Sequence, residues 1–298
     1  MRTIPYSPTK ADLFTPWVRG NYFSGTEASS TASLCAELSR LAYCREEPSR
    51  AFDTDQIRSV LATVGFSNCK FMESTGLASK GTHCFTAVGV DPDSGKKTGV
   101  VVFRGTDADD PTDLGDDADF LLKPWKAGGS VHAGFLKALD EVRDVLDDAM
   151  KSFGLPILFS GHSLGAALAT LATSLYKPTN EITALYTIGS PRVGDSVFVA
   201  TLDGVNLYRY VDCCDLVTKV PLPEMGYAHA GPACYVDRNG LIHLNPPEAA
   251  VEEDRVAAEL DYLSKYAWKT GNVGVRDLAD HAPINYVWAV TTSNYLPG

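Results

Sequence analysis

Residues 157–172 read ILFSGHSLGAALATLA: an apolar run, a serine between two glycines, then an uncharged stretch rich in alanine and leucine. The first part has the length and character of a buried strand, and the second is too apolar all round for a surface helix. A buried strand running straight into a buried helix needs cover on every side. That is met where a parallel sheet lies between two layers of helices. The junction itself, Gly161-His162-Ser163-Leu164-Gly165, matches the G-x-S-x-G pattern, in which a tight strand-to-helix turn lifts the serine hydroxyl above the sheet. Glycines are needed there because the turn brings neighbouring backbone too close for a Cβ. The new helix also aims its free N–H groups and positive dipole end at any oxyanion that forms beside it. The alternative is that Ser163 serves only as a helix N-cap.

The rest of the chain fits the same architecture. TASLCAELSRLAYC (31–44) spaces its apolar residues as a helix does, with Thr31 or Ser33 available to cap it. CFTAVGV and TGVVVF flank DPDSGKK, two strands about an Asp/Gly turn. HAGFLKALDEVRDVLDDAMKSFG predicts one long amphipathic helix ending near Gly154. ITALYTIG and NLYRYVD supply two further strands. Without repeats or a linker-like block, the expected organisation is a single domain over residues 1–298.

Charge narrows the class of partner. A net charge of −11 would be repelled by nucleic acid and by anionic membrane surfaces, so neutral substrates are favoured. No window reaches transmembrane length. The start of the chain, MRTIPYSPTKADLFTPWVRG, has no uninterrupted apolar run behind Arg2 and is not read as a secretory signal. The seven cysteines are odd in number, and Cys213 and Cys214 are adjacent, so they are read as mostly reduced thiols. Together these features favour a cytoplasmic protein, with a mature secreted form as the alternative.

A serine nucleophile needs a base and an orienting acid. In a strand-turn-helix scaffold of this kind both follow the serine in the chain, which leaves His229, His243 and His281. His281 lies in RDLADHAPINYVWAV, where a loop could return it to the top of the sheet. His229 and His243 sit in or beside expected hairpin strands and are read as structural. For the acid, NLYRYVDCCDLVTKVPLP offers Asp212 and Asp215, and spacing alone does not choose between them.

Several motifs in one order resemble the class 3 lipase family, the fungal-lipase-like α/β-hydrolases. They are VVFRGT (101–106), VHAGF (131–135), GHSLGAALA (161–169), YTIGSPRVGD (186–195), DLVTKVP (215–221), GYAHAG (226–231) and the Asp280-His281 pair. The resemblance implies an α/β-hydrolase fold, a mostly parallel central sheet flanked by helices. It also implies Ser163 as nucleophile, Asp215 rather than Asp212 as acid, His281 as base, and an oxyanion hole from Thr106 and the Leu164 N–H. The implied activity is hydrolysis of neutral acylglycerols or related esters. The substrate would be a small-molecule ester or lipid, with at most transient contact with a lipid interface and no metal or organic cofactor. An esterase for soluble esters such as feruloyl esters, and an inactive binding protein on the same fold, are the other readings. The oligomeric state is left open.

Two stretches depart from the family. Its lipases carry an amphipathic lid after the oxyanion residue, but residues 107–117 here hold six aspartates and one large apolar residue, Leu114. That composition reads as a solvated loop and suits a membrane-facing helix poorly. Its spacing does not fit an EF-hand calcium loop. Second, EAAVEEDRVAAELDYLSKYAWKTG (248–271) is expected to be a covering helix with Val251, Val256, Leu260, Leu263 and Tyr266 against the body. A wall of the acyl pocket or a dimer contact are its alternative uses. Trp268 and Trp288 are read as core.

Overall fold

The computed structural model describes residues 4–25, 29–74, 81–105 and 120–292. Ten strands are present among them: β1 (Ser67–Glu73), β2 (His83–Val90), β3 (Lys97–Phe103), β4 (Leu122–Pro124), β5 (Ser130–His132), β6 (Ile157–His162), β7 (Ile182–Ile188), β8 (Asn206–Asp212), β9 (Ala233–Val236) and β10 (Ile242–Leu244). Eight form one sheet in the order β1-β2-β3-β6-β7-β8-β9-β10, while β4 and β5 pair separately. From β3 through β6, β7 and β8 to β9 the neighbours are parallel, and the antiparallel pairs are confined to the two ends. The 83–103 hairpin forms as expected, with Cys84 opposite Phe103 and Val90 opposite Lys97.

The central strands are apolar throughout because both faces are covered. Along β3, Val100 and Val102 join a core shared with the helices Thr31–Leu41 and Pro283–Thr292. Val101 and Phe103 point the other way, into a core with Leu168 and Leu171 of the helix Leu164–Tyr176. The two-residue alternation of a strand thus sorts one hydrophobic run into two layers.

Local details differ from the sequence reading in four places. The helix Thr31–Leu41 is capped by Ser30, whose hydroxyl accepts from Ser33 N while the Ser33 side chain accepts from Ser30 N. This reciprocal box uses the residue just before those expected. The expected long helix from residue 133 is two helices, Ala133–Asp140 and Arg143–Lys151. The break is held from outside: Thr82 Oγ1 donates to the Ala138 carbonyl at 2.8 Å, and the Glu141 carboxylate accepts from Ser74 Oγ at 2.8 Å and Thr82 N at 3.2 Å. Third, the helix Glu248–Lys265 docks by Ala258 and Tyr262, with Val251 half-buried beside them. Val256, Leu260 and Leu263, expected inside, are exposed. Trp268 is likewise exposed, whereas Trp288 packs against the core beside Tyr6 at 5.6 Å between ring centroids.

Candidate active site

Ser163 joins β6 to the helix Leu164–Tyr176 with φ 58° and ψ −128°, a left-handed conformation that a non-glycine residue adopts at a cost on the order of 1–3 kcal/mol. The surrounding glycines make the turn possible. A Cβ on Gly161 would stand 2.3 Å from the Gly165 carbonyl oxygen, and one on Gly165 would stand 2.3 Å from that of Phe103. Helix and strand therefore approach to backbone contact. The first helical hydrogen bonds run from Ala166 N and Ala167 N to Ser163 O, so Leu164 N leads the helix at the serine.

Ser163 Oγ lies 2.9 Å from His281 Nε2, and His281 Nδ1 lies 2.9 and 3.0 Å from the two carboxylate oxygens of Asp215. All three residues are buried. A carboxylate can only accept, so Nδ1 carries the proton and Nε2 presents a lone pair to the serine hydroxyl. Asp215 is held from two further directions. Val217 N donates to Oδ1 at 2.9 Å, and the Tyr286 hydroxyl donates to Oδ2 at 2.5 Å. Gly189, at φ 59°, sits against this group, where a Cβ would come within 2.8 Å of Asp215 Oδ2.

Behind the histidine is a second polar chain that sequence reasoning missed. His162 Nε2 donates to the His281 carbonyl at 2.8 Å, which leaves His162 Nδ1 to accept from the Tyr43 hydroxyl at 2.7 Å. The two imidazoles lie 4.6 Å apart, and burial, reinforced by the neighbouring ring, keeps His162 neutral by holding its pKa well below the usual histidine range. His162 stood inside the quoted motif and was a findable signal. Nothing local to Tyr43 marks it.

The remaining candidates lie elsewhere. His229 Nε2 is 3.0 Å from the Thr218 carbonyl, and burial together with Arg209 and Arg192 brings its pKa down to about 2. His243 pairs with Asp237 at 3.0 Å in the β9–β10 hairpin. Asp212 ends β8 fully buried, and neither of its carboxylate oxygens has a hydrogen-bond partner. Thr106 and the acidic stretch 107–117 lie outside the described residues. Among the described residues the one group with metal-ligand proximity is Cys213, Cys214 and Asp280. Asp280 is occupied there by Arg276 Nε, Tyr6 OH and Cys214 N, so the cluster reads as a satisfied ion pair.

Comparison with known proteins points to one family. Residues 100–225 match the class 3 lipase family. The chain is 30% identical over 179 residues to secreted mono- and diacylglycerol lipase 1 of Fusarium solani, covering 54% of this chain and 51% of that protein. It is 33% identical over 167 residues to a lipase of Rhizomucor miehei, covering 50% and 46%. The chain thus spans about half the length of the curated relatives it matches. Among solved structures, lipase II from Rhizopus niveus superposes with a TM-score of 0.53 at 27% identity, covering 69% of this chain and 78% of that one. A triacylglycerol lipase whose catalytic centre is formed by a serine protease triad superposes with a TM-score of 0.54 at 26% identity, covering 72% and 82%. The fold is that of the α/β-hydrolases.

These relatives overturn one expectation. A cytoplasmic location conflicts with the match to the F. solani enzyme and to secreted mono- and diacylglycerol lipase A of Penicillium cyclopium, 32% identical over 184 residues. The cysteine argument fails for a physical reason. All seven thiols are unpaired and buried, where a cysteine acts as a small apolar side chain and carries no information about redox compartment. Burial pushes the Cys44 thiol, for example, up to about 12.

Proposed function

We propose that this chain, which belongs to the class 3 lipase family over residues 100–225, is a serine carboxylic-ester hydrolase acting on neutral acylglycerols or related esters. The observation that carries the reading is the continuous line from Ser163 Oγ through His281 to Asp215, each step within hydrogen-bond distance at the end of a strained strand-to-helix turn. In the proposed reaction His281 Nε2 takes the hydroxyl proton as Oγ attacks the ester carbonyl. Asp215 stabilises the resulting imidazolium, and the Leu164 N–H, with Thr106, stabilises the oxyanion. The protonated imidazole then delivers its proton to the departing alcohol, and water repeats the sequence on the acyl-enzyme.

Exposed apolar residues support an apolar acyl group as the substrate. Leu121, Leu216, Leu222 and Met225 lie on segments gathered over the carboxyl ends of the strands. Ala133 N bonds to Leu121 O, His132 N to Val193 O, and Arg192 N to Val220 O, tying these segments to the loop that leaves β7. A second reading, an esterase for soluble esters, rests on the six aspartates of residues 107–117.

Hydrolysis of p-nitrophenyl esters from acetate to palmitate, with emulsified triglyceride alongside, separates the two. A lipase peaks at long chains and rises on emulsion, and an esterase is confined to short soluble esters. Ser163→Ala should lower turnover on the order of a million-fold. A fluorophosphonate probe should label Ser163 in the wild type. Activity persisting in the alanine variant would sink the mechanism, and an unlabelled, inactive wild type would favour a binding protein on this fold.

A further inference from the structure

The helix Glu248–Lys265 is amphipathic on two opposite sides. Its inner side is fixed: Ala258 and Tyr262 are buried, Asp254 accepts from Tyr235 OH at 2.9 Å, and Arg255 Nε donates to the Cys213 carbonyl at 2.8 Å. With those anchors the helix cannot roll, so its outer side stays in solvent. That outer side carries Val256, Leu260 and Leu263 at 50%, 65% and 54% exposure, followed by Trp268 at 72%. The spacing is four, then three, the alternation of a coiled-coil seam displayed outward, and Glu253 continues it toward the amino terminus; the stripe ends with the helix, because Ala267 packs inward against the core.

We propose that this face is a self-association surface, on which a second copy of the chain packs its own Glu248–Lys265 helix antiparallel about a two-fold axis. Charge selects both the partner and its direction. Exposed Glu252 and Glu253 stand at the amino-terminal end of the stripe, while exposed Lys269 stands just past the carboxyl end of the helix beside Trp268, its ammonium 5.6 Å from that ring. Placing Leu260 of one copy opposite Leu263 of the other brings the Glu252 and Glu253 end of each helix toward the Lys269 end of its partner. A parallel arrangement would set glutamate against glutamate and lysine against lysine. A two-fold axis produces the same contact twice and closes the assembly at two chains.

Sedimentation velocity on the full chain over a range of concentrations tests the proposal. The short seam predicts a reversible dimer with a dissociation constant on the order of 10 μM. Leu260→Arg, at a solvent-facing position, should raise it at least about tenfold with no change in thermal unfolding of the dilute protein. Glu253→Lys should also weaken the dimer, and adding Lys269→Glu to it should restore affinity, a rescue that only the antiparallel pairing predicts. A monomer at roughly ten times the expected constant overturns the proposal, as does a dimer indifferent to Leu260→Arg. A Trp268 emission shift on neutral phosphatidylcholine vesicles, abolished by Leu260→Arg in a protein that stays monomeric, would assign the face to a lipid surface instead. None of these readouts depends on esterase activity.

Discussion

Asp215 and Asp212 stand three residues apart at the end of one strand, both fully buried, and their surroundings are opposite. Asp215 collects donors from His281, Tyr286 and Val217. The Asp212 carboxylate collects none, although its own backbone N–H donates to the Tyr286 hydroxyl at 3.0 Å. One tyrosine oxygen therefore serves both residues, as donor to the Asp215 side chain and acceptor from the Asp212 main chain. Burial alone does not make a carboxylate an ionised partner for histidine. The donors arranged around it decide.

The largest effect expected from this contrast between the two aspartates follows directly. Asp215→Asn should lower kcat by about 10⁴-fold while leaving the fold intact, because an amide in place of the carboxylate no longer fixes Nδ1 as the protonated nitrogen. Asp212→Asn should leave kcat within about threefold, since no distance in the site runs through its side chain. Steady-state kinetics on one p-nitrophenyl ester compares the two directly, and equal losses would erase the distinction. Tyr286→Phe comes next. It removes a donor from Asp215 and strands the buried Asp212 N–H, for about 1–3 kcal/mol of stability by denaturant unfolding, together with a fall in kcat at nearly constant KM. Full retention of both would show that the shared hydroxyl holds nothing.

Spacing could not separate the two aspartates because their fates are settled by His281 and Tyr286, which lie far along the chain. The strand-turn-helix at Ser163 was legible, since strand, glycines and helix all fall within residues 157–176 and each obeys a local rule. The same contrast explains the outer helix. Residues 248–266 place apolar side chains on two faces, so periodicity announces a helix and leaves open which face docks. Ala258 and Tyr262 win because Tyr235 and Cys213 supply hydrogen-bonding partners to Asp254 and Arg255 on that same side. The break at Glu141 is nonlocal too, since Thr82 and Ser74 create it from another part of the fold.

The smallest expected effect is the one that reads Asp212 itself. Burial pushes its carboxyl well above the usual carboxylate range, the nearby Asp280 charge pushes the same way, and Arg276 opposes them. A carboxyl whose folded pKa lies above its unfolded value holds its proton more tightly in the folded state. Its contribution is therefore fully present below the unfolded value, about 4, and is lost as pH rises toward the folded one. Asp212→Asn has no proton to lose. Wild type and variant should melt together near pH 4, and the variant should melt progressively higher as pH increases to 8, by roughly a few degrees given the shift in melting temperature per kcal/mol in a chain of this size. If Arg276 instead held Asp212 ionised, the variant would melt lower at pH 8, because removing one partner of a buried pair leaves the other charge uncompensated. The sign of the difference at pH 8 thus decides whether the end of β8 carries one ionised carboxylate beside the histidine or two.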